Sequence, residues 1–168
     1  MSYILVVVFL ILTVSGCAES SGNSPAQIPV NFESDFNADY GRLKLSGHIS
    51  KLETGIYDIT ITAPESIQGV KFNYVGGKIS ANLDGISFDA DCENLPVSGF
   101  IVAVSNLLDT VSKPNLTSVT KTDGYNRYCA LSQGDNACIL QEQNSGNIVS
   151  LVIASADISM NFVDFKSN

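Results

Sequence analysis

Proton transfer and metal binding near neutral pH need imidazole, thiolate or carboxylate groups in concert, and this 168-residue chain holds few of them in useful patterns. It has one histidine, His48, beside Gly47 in a segment that reads as a strand. With no second imidazole a multi-histidine metal site cannot form, no Cys-x-x-Cys pair occurs, and no nucleophile-elbow spacing supplies a serine for His48 to activate. His48 therefore reads as an exposed strand residue. Asp89, Asp91 and Glu93 alternate before a helical stretch and carry the oxygens a calcium ion takes, but they lack the glycine-turn loop of a calcium motif. Alternation puts them on the solvent face, opposite Phe88 and Ala90, as a solvated acidic edge. Gly76-Gly77 has turn chemistry and no phosphate-loop spacing. The chain reads as non-enzymatic, with no cofactor, metal or catalytic residue expected.

Cysteine chemistry says more. Residues 3–14 form an uncharged apolar run, about the length of a signal-peptide core and too short for about 30 Å of hydrocarbon. Its end, Val14-Ser15-Gly16-Cys17, resembles the bacterial lipobox, with Val in place of the commoner Leu and no Lys or Arg in Met1-Ser2-Tyr3. The resemblance implies that residues 1–16 are a lipoprotein signal peptide, cleaved before Cys17 once a diacylglycerol is on its sulfur. Two palmitate-like chains anchor stably where one does not, since each buried CH₂ contributes about 0.8 kcal/mol. The expected location is extracytoplasmic, lipid-anchored to the bacterial cell membrane. The alternatives are an ordinary secretory signal cleaved after Ala18 and a buried hydrophobic segment. Asn115-Leu116-Thr117 has glycosylation-acceptor spacing, which a bacterial lipoprotein normally leaves unused.

Cys92, Cys129 and Cys138 remain, so at most one internal bridge can form. The turn Ser132-Gln133-Gly134-Asp135 places Leu131 opposite Asn136, and hence Cys129 opposite Cys138, in an antiparallel hairpin. Directly opposed strand residues have Cβ atoms about 4.5–5.5 Å apart, slightly long for a bridge and better suited to one in the closer, non-hydrogen-bonded pair. The alternative is three inert buried thiols.

The elements that must carry these residues follow from periodicity. Residues 17–29 are rich in Ser, Gly, Asn and Pro and read as a flexible tether, reaching at most roughly 40 Å; residues 30–168 read as one β-rich domain. The net charge of -8 argues against nucleic acid and anionic lipid surfaces as partners. Alternation at Phe32, Phe36 and Ala38, then at Leu45, Gly47 and Ile49, and at Tyr57, Ile59 and Ile61, predicts strands with one apolar face. Val70, Phe72 and Tyr74, then Ile79, Ala81 and Leu83, then Ile86, Phe88 and Ala90 continue the series through Gly76-Gly77 and Asp84-Gly85 hairpins. The period then changes: Val97, Phe100, Ile101, Val104, Leu107, Leu108 and Val111 fall on one helical stripe, bounded by Pro96 and Pro114. A helix over about 96–112 must cover an apolar surface, and the preceding meander is the expected partner. Strands resume near 116–121, 125–131, 137–143, 148–154 and 158–165. Ten or eleven strands and one helix give an α+β, mainly antiparallel fold, with a curved meander sheet forming a half-open barrel wrapped over a central helix. A two-sheet sandwich is the alternative.

This order of elements, with the segment 57–83 containing Ile59-Thr60-Ile61-Thr62-Ala63-Pro64-Glu65-Ser66-Ile67-Gln68-Gly69-Val70 and followed by Asp84-Gly85, resembles the LolA-like superfamily of lipoprotein carriers and receptors and related lipoproteins. The resemblance implies an incomplete antiparallel barrel around a helical lid, with acyl chains held between them. It brings no catalytic signature, and no arginine here matches the carrier's lid-locking residue. The expected ligand is hydrophobic, a lipid or acyl chain, against Phe72, Tyr74, Leu83, Phe88, Phe100, Ile101, Val104 and Leu108. The alternative is a non-enzymatic interaction lipoprotein with a filled core, binding another cell-envelope or cell-wall protein.

Overall fold

The computed structural model describes residues 28–167; the predicted signal segment, Cys17 and the predicted tether up to residue 27 lie outside them. Eleven strands form one antiparallel sheet among the described residues. They are β1 (Phe32–Tyr40), β2 (Leu43–Glu53), β3 (Ile56–Ala63), β4 (Lys71–Val75), β5 (Lys78–Leu83), β6 (Ile86–Asp91), β7 (Thr117–Thr122), β8 (Tyr125–Ala130), β9 (Ala137–Glu142), β10 (Ile148–Ile153) and β11 (Ile158–Ser167). The spatial order, β6-β5-β4-β3-β2-β1-β11-β10-β9-β8-β7, joins two meanders where the first strand pairs with the last. The sheet does not close, so β6 and β7 are its free edges. Helix α1 (Phe100–Val111) lies between them in sequence. The chain must pass from one edge of the sheet to the other, and α1 lies along that route, over the concave face.

The helix is shorter than the stripe predicts. Pro96 and Val97 precede it in a turn closed by the Gly99 amide on the Pro96 carbonyl, at 2.8 Å, and Val97 is 80% exposed. Its position corrects a second expectation, since α1 lies closest to β8 and β9, which follow it, and not to the meander before it. A tight return explains this. A 3₁₀ turn, Pro114–Leu116, leads at once into β7, and the Thr117 hydroxyl donates to the Val111 carbonyl at 3.2 Å, so the end of α1 is held against the β7–β8 edge.

Strand alternation holds along the centre of the sheet. Phe32, Phe36, Ile49, Tyr57, Ile59, Met160 and Phe162 are buried, and Ile28, inside the predicted tether, joins the same core. Gly47 sits under an aromatic ring: a Cβ there would meet the Thr60 carbonyl oxygen at 2.3 Å and Phe36 Cζ at 2.7 Å. Only glycine lets the Phe36 ring lie flat across β2, from where it reaches Phe100 with centroids 5.8 Å apart.

Candidate functional site

Two features organise the concave face, a polar anchor at the C-terminal end of α1 and an apolar groove at its N-terminal end. The anchor centres on Asp109. The Tyr57 hydroxyl donates to Asp109 Oδ1 at 2.5 Å and the Gly55 amide donates to the same oxygen at 3.4 Å. Burial pushes the Tyr57 phenol far above its ordinary range, and the bond to Asp109 pushes it the same way, so the phenol keeps its proton and donates. Lys51, opposite Tyr57 in the β2–β3 ladder, is buried with its Nζ 5.9 Å from the Tyr57 ring centroid. Burial lowers its pKa and the Asp109 carboxylate partly opposes that. Alternation from Ile49 points Lys51 inward, a signal present in the sequence but masked by the usual exposure of lysine.

The groove has a volume of about 310 Å³. Its sheet wall comes from Leu43, Leu45 and Ile61, with Phe72, Ile79 and Phe88 from the edge meander. Its helix wall is Leu95, Pro96, Gly99, Phe100, Ile101 and Val102. The depth is buried, at Leu45, Ile61 and Ile79, whereas Phe88 at the mouth is 60% exposed and Leu43 49%. Side chains reaching the groove are hydrocarbon except for Tyr40, whose hydroxyl donates to the Ser98 carbonyl at 3.2 Å. The groove exists because α1 leans toward β8 and β9, leaving the inner face of β4–β6 partly uncovered.

Of the eight residues expected at a ligand, Phe72, Phe88, Phe100 and Ile101 line the groove. Val104 and Leu108 are fully buried, packed in the main core. Tyr74 is buried edge-on against Tyr57, with centroids 5.8 Å apart, and Leu83 is half-buried outside the lining. Leu43, Leu45, Ile61 and Ile79 also line its sheet wall; their alternation marks them as inward-facing, but nothing local distinguishes a face left open from one that is filled.

The remaining chemistry is dispersed. His48 Nδ1 lies 2.9 Å from Asp35 Oδ1 in a solvent-accessible pair. Asp89, Asp91 and Glu93 are exposed, and among the described residues no cluster of three His, Cys, Asp or Glu side chains is arranged to hold a metal ion. Cys129 and Cys138 face each other across β8 and β9 with their sulfurs bonded and Cα atoms 4.0 Å apart, while Cys92 is a free, half-buried thiol.

No protein-family model matches the chain, and no curated protein does. Among solved structures the chain is similar to an uncharacterized conserved protein from Thermus thermophilus, with a TM-score of 0.51, 8% identity, and alignment over 84% of this chain and 80% of that one. A LolA superfamily protein from Nitrosomonas europaea aligns over 88% of this chain and 90% of its own, with 9% identity and a TM-score of 0.42. The strand order and the one α-helix among the described residues are themselves the fold that the LolA-like resemblance implies, an open, curved antiparallel sheet around a helix.

Proposed function

We propose that this protein is a non-enzymatic lipid-binding lipoprotein of the bacterial cell envelope, anchored through a diacylglycerol on Cys17, whose groove between β4–β6 and α1 takes a hydrophobic acyl chain. The observation that carries the reading is the groove itself, about 310 Å³, walled almost entirely by hydrocarbon and open at Phe88. That volume lies at the small end of ligand sites, roughly 300–1,000 Å³. A water-filled hydrocarbon trough of this kind is unfavourable, so an apolar chain displacing the water gains the transfer free energy of its methylenes. The anchor rests on the lipobox resemblance, and mass spectrometry of the membrane-extracted chain tests it: the expected species begins at Cys17 and carries the added lipid mass.

Native mass spectrometry after mild purification, with displacement of a fluorescent hydrophobic probe, tests the groove. Bound lipid mass and a probe displaced by fatty acid are expected, and Phe88→Glu, which sets a charge at the mouth, weakens probe binding at least about tenfold. A chain that neither retains lipid nor binds the probe sinks the reading. The free edges β6 and β7 favour a second one, in which an envelope protein adds a strand to the sheet. Affinity capture from detergent-solubilised membranes separates them, since a stoichiometric protein partner without bound lipid supports only the second.

A further inference from the structure

On the other flank of α1, sharing no lining residue with the apolar groove, lies a second cavity of about 350 Å³. Its floor is made by the buried side chains of Ala103 and Leu107 on α1, Ala130 on β8, Ala137 on β9 and Ile153 on β10. Three alanines lining one cavity leave space that larger side chains fill elsewhere in the core. The rim is uncharged, with polar Ser98, Asn106, Thr110, Gln133 and Ser155 beside the exposed apolar Val97, and the Ser155 hydroxyl donates to Gln133 Oε1 at 3.4 Å. No lining residue is charged and none is aromatic. The Cys129–Cys138 bridge is immediately beside Ala130 and Ala137, so it fixes the floor and the start and end of the turn that carries Gln133.

We propose that this cavity is a binding site for a short uncharged peptide segment with methyl-sized side chains. The carboxamides of Asn106 and Gln133 each offer a donor and an acceptor, the complement of a peptide amide, and the hydroxyls of Thr110 and Ser155 serve either role. A charged ligand would lose hydration here without meeting a counter-charge. With no aromatic ring in the walls, the stacking surface that holds bases and other flat rings is missing. The alanine floor admits methyl groups and excludes bulkier side chains, and the volume, again at the small end of ligand sites, suits about two residues.

The test is two-dimensional NMR on the full chain titrated with N-acetyl-dialanine-N′-methylamide, with zwitterionic dialanine as the charged control. Saturable shifts of the Ala103, Ala130 and Ala137 methyl signals are expected with the blocked peptide, and binding at least about tenfold weaker with the zwitterion. Ala137→Leu fills the floor and removes the response while binding of the hydrophobic probe in the groove persists. Asn106→Ala, on the exposed rim where folding is not at risk, weakens the blocked peptide by about two- to tenfold. Absence of saturable shifts at the floor methyls, equal binding of the zwitterion, or an unchanged affinity in Asn106→Ala overturns the proposal. Groove binding is read separately, so failure here leaves the acyl-chain reading standing, and the reverse also holds.

Discussion

Strands β4–β6 and strands β8–β10 are both antiparallel three-stranded meanders with an apolar inner face, yet the helix lies against the second and leaves the first partly bare. On β8–β10 the inward residues Tyr128, Ala137, Ile139, Leu151 and Ile153 are buried beneath the helix side of the fold. On β4–β6 the inward series ends in Phe88, 60% exposed, and Ile86, 78% exposed. The difference arises from one element. The short return from Val111 to Thr117 holds α1 beside β8, and the Cys129–Cys138 bridge stiffens that arm. The other arm keeps an uncovered apolar trough. The helix packs on the β8–β10 half, where the alanine-floored cavity remains, and the hydrocarbon-walled groove falls to the β4–β6 half.

The largest effect that should expose this contrast is in the core. Leu108→Ala removes a fully buried side chain and is expected to cost about 3–4 kcal/mol in chemical denaturation, whereas Phe88→Ala at the groove mouth changes stability by less than about 0.5 kcal/mol and instead weakens hydrophobic-probe binding several-fold. Equal stability losses at the two positions would erase the distinction between an arm covered by the helix and an open one. Next in size is the staple. Replacing both Cys129 and Cys138 by serine removes a cross-link spanning 9 residues in sequence, and chain-entropy reasoning gives a loss of about 2–3 kcal/mol, with groove binding retained because the bridge lies on the other arm.

Smaller effects come from the polar anchor. Tyr57→Phe deletes the hydroxyl that donates to Asp109 and should cost about 1–2 kcal/mol, with Asp109→Asn partly preserving the contact; thermal unfolding of the two variants checks the order. The smallest is a pH effect at Lys51. Its pKa is lowered in the folded protein by burial, so the unfolded chain binds that proton more tightly and protonation opposes folding. This cost is fully present below the folded pKa and disappears as pH rises through the interval ending at the ordinary lysine value of 10.5. The native chain should therefore gain stability relative to Lys51→Met as pH is raised toward 10.5, and parallel stability curves for the two proteins would show that Lys51 is hydrated in the folded state.

Much of this molecule is legible in its residue order. The period-two runs from Phe32 to Ala90, the Gly-Gly and Asp-Gly turns between them and the change to a helical period at Phe100 give strand count, direction and the antiparallel class, because alternation and turn chemistry are local properties of the backbone. Cys129 opposite Cys138 is readable for the same reason, since a hairpin fixes its own register. Which inward-facing residues wall the groove was decided only by tertiary structure. Val104 and Leu108 carry the same periodic signal as Phe100 and Ile101, but one pair packs into the core and the other walls the groove. Periodicity assigns a side chain to a face; how far the helix covers that face depends on the return to β7, which binds α1 to one arm of the sheet and leaves the other open.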